Sequence, residues 1–246
     1  MATVKSISEQ ADELEHQKME ELNFSVTKSV LFNAADGKLE LGFGGGGRVL
    51  MGEDPRLPKM PETPTLQDFF KHRFASATNH LLQSAALARK NGGDEKLVLA
   101  CLLHDIAVAG FIRSDHGYWG AQLIEPYVDP VVSWSIRMHQ ACRFYPDESV
   151  GYAYPDMYVR LFGDDYEPEP YIQEEYKRCR QHKWYMSARM ICVNDLYSFD
   201  PNAVVSLDEF EDVIGRNFKQ PKEGLGNDNT PSSHMWRTMI RPANAL

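Results

Sequence analysis

Residues 95–107, EKLVLACLLHDIA, decide the fold. Apolar side chains lie on nearly every side of this stretch, so it reads as a helix from about Asp94 to Ala107 at the centre of the molecule. Asn91-Gly92-Gly93 stops the helix before it. His104 and Asp105 close the apolar run, and a carboxylate on a buried helix is costly unless it is paired or bound to a metal.

The helical period continues on both sides. Upstream, Thr65 with Asp68 makes a capping box, and an apolar pattern runs from there to Lys90. Downstream, a third helix is expected from near Ser114 or Asp115 to about Tyr127. Asp129-Pro130 opens a fourth, with proline at its first position, ending about Phe144. Helix resumes from about Tyr171 to Phe199 with a break near His182. Ser206 and Glu209 cap another helix ending about Phe218, and HMWRTMI (234–240) forms a last short one. The Tyr/Pro stretch Tyr145 to Tyr158 and the run GDDYEPEP (163–170) read as solvated loops placed to shape a pocket rim. The fold class is all-α. Residues 65–246 are the helical core, and residues 1–64 are an irregular N-terminal extension. Within it, Ser29 to Asn33 and Lys38 to Phe43 suit a short β-hairpin around Asp36-Gly37, followed by a flexible loop at Gly44 to Gly47.

Of the 246 residues, 43% are hydrophobic and 25% charged, enough to bury a large core and unlike any fibrous or disordered class. Lys plus Arg number 26 against 35 Asp plus Glu, a formal charge of -9. That charge repels phosphodiester backbones and anionic lipid, so nucleic acid and membrane are not the expected partners. No stretch approaches the roughly 18 to 20 apolar residues of a membrane span, and the acidic opening MATVKSISEQADELEHQKMEEL, without an apolar run, is no secretory signal. Cys101, Cys142, Cys179 and Cys192 form no C-x-x-C pair and read as buried thiols of a cytoplasmic protein, so the Asn23-Phe-Ser sequon carries no meaning.

His80, His116, His139 and Asp195 accompany the His104-Asp105 pair on successive helical segments. Four histidines and two aspartates on antiparallel helices can meet at one level of a bundle. Imidazole with carboxylate suits iron, manganese or zinc. Six ligands exceed what one ion with an open position needs. One carboxylate can bridge two ions, so two metals fit the count better.

The order His80 … His104-Asp105 … His116 … His139 … Asp195 resembles the HD-domain superfamily in its six-ligand, two-metal version, over roughly Leu66 to Phe199. The resemblance implies one metal on His80, His104, Asp105 and Asp195. Asp105 then bridges to a second held by His116 and His139. Hydrolases of the superfamily often carry HD-x-x-K, whereas this chain reads HDIAVAGF with Val108 at that place. HGYWGAQLIEPY…MHQACRFY is similar to the phosphonate-cleaving HD oxygenases, which group with myo-inositol oxygenase. Those enzymes imply a mixed-valent Fe(II)/Fe(III) pair, dioxygen and a small hydroxylated, anionic substrate. Arg143 stands four residues after His139, where a basic side chain meets the substrate anion, with Arg113, Lys183 and Arg189 as further candidates. The alternative is a metal-dependent phosphohydrolase using manganese or zinc on a nucleotide or phosphomonoester. A third reading, a catalytically silent anion-binding module, is disfavoured by the intact ligand series.

Other signals are discounted. Gly42 to Gly47 satisfies G-x-G-x-x-G, but RVLMGEDPRLP follows where a helix is required. His72, two turns before His80, reads as a surface or neighbouring histidine, and His16 and His182 as solvated. His234 belongs to an apolar tail that packs on the core or on a partner subunit, which leaves a homo-oligomer open.

Overall fold

The computed structural model describes residues 58–240 apart from 111–114, 164, 197, 199 and 201. The hairpin, the glycine loop, His16 and Arg113 lie outside the described residues.

The described chain is helical, and no strand is found among these residues. Helix α1 (Leu66–His72) is capped by Thr65, whose hydroxyl accepts from the Asp68 amide while the Asp68 carboxylate accepts from the Thr65 amide. The pattern expected to run unbroken to Lys90 breaks at Arg73. This residue is buried, and its guanidinium donates to the carbonyls of Pro58, His72, Met239 and Ile240. Helix α2 (Ala75–Lys90) follows, then α3 (Glu95–Leu103), capped by the Asp94 carboxylate at the Leu97 amide.

The sequence predicts α3 to continue to Ala107, but it stops at Leu103 and restarts as α4 (Ile106–Gly110). The His104 ring takes the Cys101 carbonyl at 2.8 Å, competing with the backbone ladder at that point. The resulting turn carries the His-Asp pair.

Helix α5 (His116–Ile124) runs into a 3-10 turn (Glu125–Tyr127), and Asp129 caps α6 (Pro130–Cys142). Between α6 and α8 the expected loop contains a short helix, α7 (Asp156–Phe162), and Tyr152 and Tyr158 are buried rather than solvated. Helices α8 (Pro170–Arg180) and α9 (Tyr185–Leu196) are separated at His182, as the sequence indicates. That histidine is half-buried and stacks on Trp134 at 4.2 Å rather than facing solvent alone. Ser206 and Glu209 cap a 3-10 turn (Leu207–Phe210) leading into α10 (Glu211–Asn217).

The last helix, α11 (Ser233–Ile240), buries Trp236 completely. Its indole donates to the Leu123 carbonyl at 2.9 Å and meets Phe69 edge-on at 4.7 Å. The tail therefore packs on the core, with His234 itself exposed.

Helix α2 packs on α3, α5 on α6, and α9 on both α6 and α2, which closes a bundle around α3. No described helix is long and apolar enough to cross a membrane.

Candidate metal centre

The bundle brings the six sequence-predicted ligand residues to one place. His80 comes from α2, His104 and Asp105 from the turn after α3, and His116 from the first position of α5. His139 lies in the last turn of α6, and Asp195 near the end of α9.

The distances divide the cluster into two sets that share Asp105. In the first, His80 Nε2 lies 3.3 Å from His104 Nε2 and 3.0 Å from Asp195 Oδ1. In the second, His116 Nε2 lies 3.2 Å from His139 Nε2. Asp105 turns Oδ2 toward His80 at 3.8 Å and Oδ1 toward His116 at 3.2 Å, His104 at 3.7 Å and His139 at 3.8 Å. Both His80, His104, Asp105 and Asp105, His116, His139 therefore form sets close enough to hold an ion.

The residues fit metal ions on their own hydrogen bonding. His104 Nδ1 and His139 Nδ1 face the carbonyls of Cys101 and Ile136, so each must donate there. The Ser198 hydroxyl donates to the Asp195 carbonyl, so toward His80 Nδ1 at 2.8 Å it must accept. All three rings thus carry a proton on Nδ1, so Nε2 is the atom through which each can ligate a metal. In the first set two Nε2 atoms face each other at 3.3 Å, a spacing that a shared proton or a metal ion between them satisfies. Asp105 Oδ1 is buried with no hydrogen-bond donor among the described residues. Ligand atoms each about 2.1 Å from an ion stand about 3.0–3.4 Å apart at right or tetrahedral angles. The closest Nε2 and carboxylate spacings fall in that range.

The electrostatics agree. Burial works against the charge on Asp105, yet His104, His116 and His139 outweigh it and hold its carboxyl well below the ordinary range. Asp195 is likewise ionised despite burial, held by His104 and His80. Burial also opposes charge on His104, but Asp105 and Asp195 raise it to about 9. His116 goes the other way, pushed down to about 4 by burial, with His139, Arg143 and His104 adding to the fall against Asp105. Two half-buried carboxylates held in their charged form beside four imidazoles attract a cation.

No family model matches the chain. A (1-hydroxy-2-(trimethylamino)ethyl)phosphonate dioxygenase (glycine-betaine-forming) of Leisingera caerulea is 30% identical over 79 residues, 27% of this chain and 39% of that protein. The chain is similar to an oxygenase. It matches less than half of that relative's length.

Arg143 follows α6 one turn beyond His139. Its guanidinium lies 5.0 Å from the Phe144 ring and 5.3 Å from the Tyr158 ring, and its Nε is buried with no acceptor among the described residues. Two other basic candidates, Arg189 and Lys183, are engaged elsewhere. Arg189 is fully buried and donates to the Tyr185 hydroxyl and the Cys142 carbonyl, so it supports the bundle instead of facing a pocket. Lys183 is exposed and lies over Trp184.

Sequence reasoning missed the supports of the cluster. Ser198 holds His80, the Cys192 thiol donates to the His139 carbonyl at 3.2 Å, and Tyr158 closes over Arg143. Ser198 follows Asp195 by three residues, and that spacing was its sole signal. Cys142 and Cys179 sit 3.4 Å apart at sulfur as buried free thiols, in keeping with a packing role.

Proposed function

We propose that residues 65–246 form an HD domain holding two irons, a mixed-valent Fe(II)/Fe(III) pair, and that the chain is an oxygenase. It uses dioxygen to oxidise or cleave, at C–C or C–P, a small hydroxylated anionic substrate. The observation that carries the reading is the pair of His/Asp sets sharing Asp105, with Nε2 atoms turned inward. The similarity to a phosphonate dioxygenase supports the oxygenase class.

His80, His104 and Asp195 hold one ion, His116 and His139 the other, and Asp105 both. When bound, such a pair supplies oxygen activation and one-electron chemistry that no side chain offers. The protein's own residues bind and orient. Burial of His104, His116 and His139 keeps water from the inner wall. The Phe144 and Tyr158 rings hold the plane of Arg143, whose fork binds an oxyanion in two-point fashion. Half-buried Val108 occupies the place where a phosphate-binding lysine would favour the hydrolase.

The test is dioxygen uptake by the iron-loaded protein with hydroxylated phosphonates, hydroxy acids and polyols. Removing a charge-assisted contact costs roughly 1.5–3 kcal/mol, so Arg143→Ala is expected to raise KM about 10- to 100-fold. An unchanged KM removes Arg143 from substrate binding. Turnover of phosphate esters with manganese or zinc, without oxygen uptake, replaces the oxygenase with the hydrolase.

A further inference from the structure

Gln140 directly follows His139, and both ends of its side-chain amide are used on residues flanking His116. Its Nε2 donates to Asp115 Oδ1 at 3.0 Å, and its Oε1 accepts from the Gly117 amide at 3.0 Å. The two bonds fix the amide's orientation, since a flip would set donor against donor. One amide therefore ties the start of α5 to the end of α6 at the two residues bracketing His116.

Asp115 departs from ordinary helix entry. An aspartate before a helix normally accepts from the first free amides. Here the Asp115 side chain caps nothing, and Gln140 satisfies the Gly117 amide instead. The Asp115 carboxylate accepts from Gln140 and, at 2.7 Å, from the Tyr171 hydroxyl of α8. The residue sits at φ 52°, the one left-handed non-glycine backbone among the described residues, which Asp and Asn adopt more readily than others. Helix α5 also lies close on α6, because a Cβ on Gly117 would stand 2.8 Å from the Ile136 carbonyl oxygen.

We propose that Gln140 and Asp115 are positioning residues that set the His116/His139 half of the centre, so that losing either releases one ion and spares the other. The inference rests on the two-ion reading above. It goes further in assigning separate mechanical support to the two halves. Among the described residues, the clasp makes no hydrogen bond to His80, His104 or Asp195, whose bonds run to Ser198 and the α3 backbone.

The experiment is anaerobic titration of the full chain with ferrous iron. Bound ions per chain are counted after desalting, and the metal-free protein's melting temperature is measured in parallel. Wild type is expected to hold two ions. Gln140→Leu and Asp115→Ala are expected to keep one, with affinity for the second down about 10- to 100-fold, the usual effect of losing a partner behind a ligand. Asp115→Asn keeps an oxygen acceptor and tolerates the backbone, so it should restore two. Should the first two variants fail to fold, Tyr171→Phe at an exposed position is expected to weaken the second ion a few-fold with the first unchanged. Equal loss of both ions, or two ions held at wild-type affinity in the variants, overturns the clasp while the two-ion reading stands. Fewer than two ions in wild type overturns both.

Discussion

The two halves of the His/Asp cluster each turn a pair of imidazoles toward the shared Asp105, on supports that differ. His80 and His104 rise from helices that are part of the main apolar core, and their Nδ1 atoms are held by Ser198 and by the Cys101 carbonyl. His116 stands at the first position of α5, where the chain has just entered the helix from a left-handed residue. Its alignment with His139 depends on polar contacts and on a close helix crossing at Gly117. Both halves stand on one apolar core, which includes Leu123 of α5 and Ile136 of α6, and the second half has the hydrogen-bonded clasp in addition. Two histidine pairs on one core can therefore differ in how easily a distant change disturbs them.

The largest expected effect erases the comparison. Asp105 is the residue both halves share, so Asp105→Ala should abolish binding of both ions and oxygen uptake, read by metal analysis and an oxygen electrode. A variant that keeps either ion at wild-type affinity would show that Asp105 does not bridge.

Removing Trp236 tests the core packing between α1, α5 and α11 without touching a ligand. Truncation of a fully buried tryptophan costs about 3–5 kcal/mol, so Trp236→Ala should lower the melting temperature of metal-free protein sharply. The surviving folded fraction should bind both ions. Gly117→Ala acts on the His116/His139 half. The added methyl meets the Ile136 carbonyl, and overpacking of this kind costs about 1–3 kcal/mol. Its mark is selective loss of the His116/His139 ion, seen as one ion per chain.

Asp147 supplies a control away from both halves. Hydrogen bonds from Ser149 and Tyr185 hold its pKa down at about 2. A depressed carboxyl adds stability above its unfolded value, near 3.8, and that stability is lost as pH falls through about 2. Asp147→Asn should therefore cost roughly 1–2 kcal/mol at neutral pH, with the gap to wild type closing below about pH 4 in denaturant titrations. Neither ion should be affected.

The six candidate ligand positions were legible because the helices that carry them are periodic. An apolar helix ending in His-Asp, with His80, His116, His139 and Asp195 on the helical patterns around it, leaves a pattern in one dimension. The all-α class followed from the helical periods, and the starts of α1, α6 and the Leu207–Phe210 turn from Thr65, Asp129 and Ser206, each a local capping signal. The break at His104 was hidden because it arises from a side chain bonding its own backbone, which composition does not reveal. Helix α7 was hidden because tyrosines beside prolines resemble a solvated loop until Arg143 and Phe144 arrive to bury them. The clasp was hidden for a similar reason. Gln140 and Asp115 are common polar residues with no period, and only the folded crossing of α5 and α6 brings them together.

The central claim is that two ions share Asp105. The most direct measurement is a low-temperature EPR spectrum of the chain loaded anaerobically with ferrous iron and then partly oxidised. An antiferromagnetically coupled ferrous/ferric signal, with two irons per chain, is the predicted result. Isolated ferric iron alone, or one ion per chain, would contradict it.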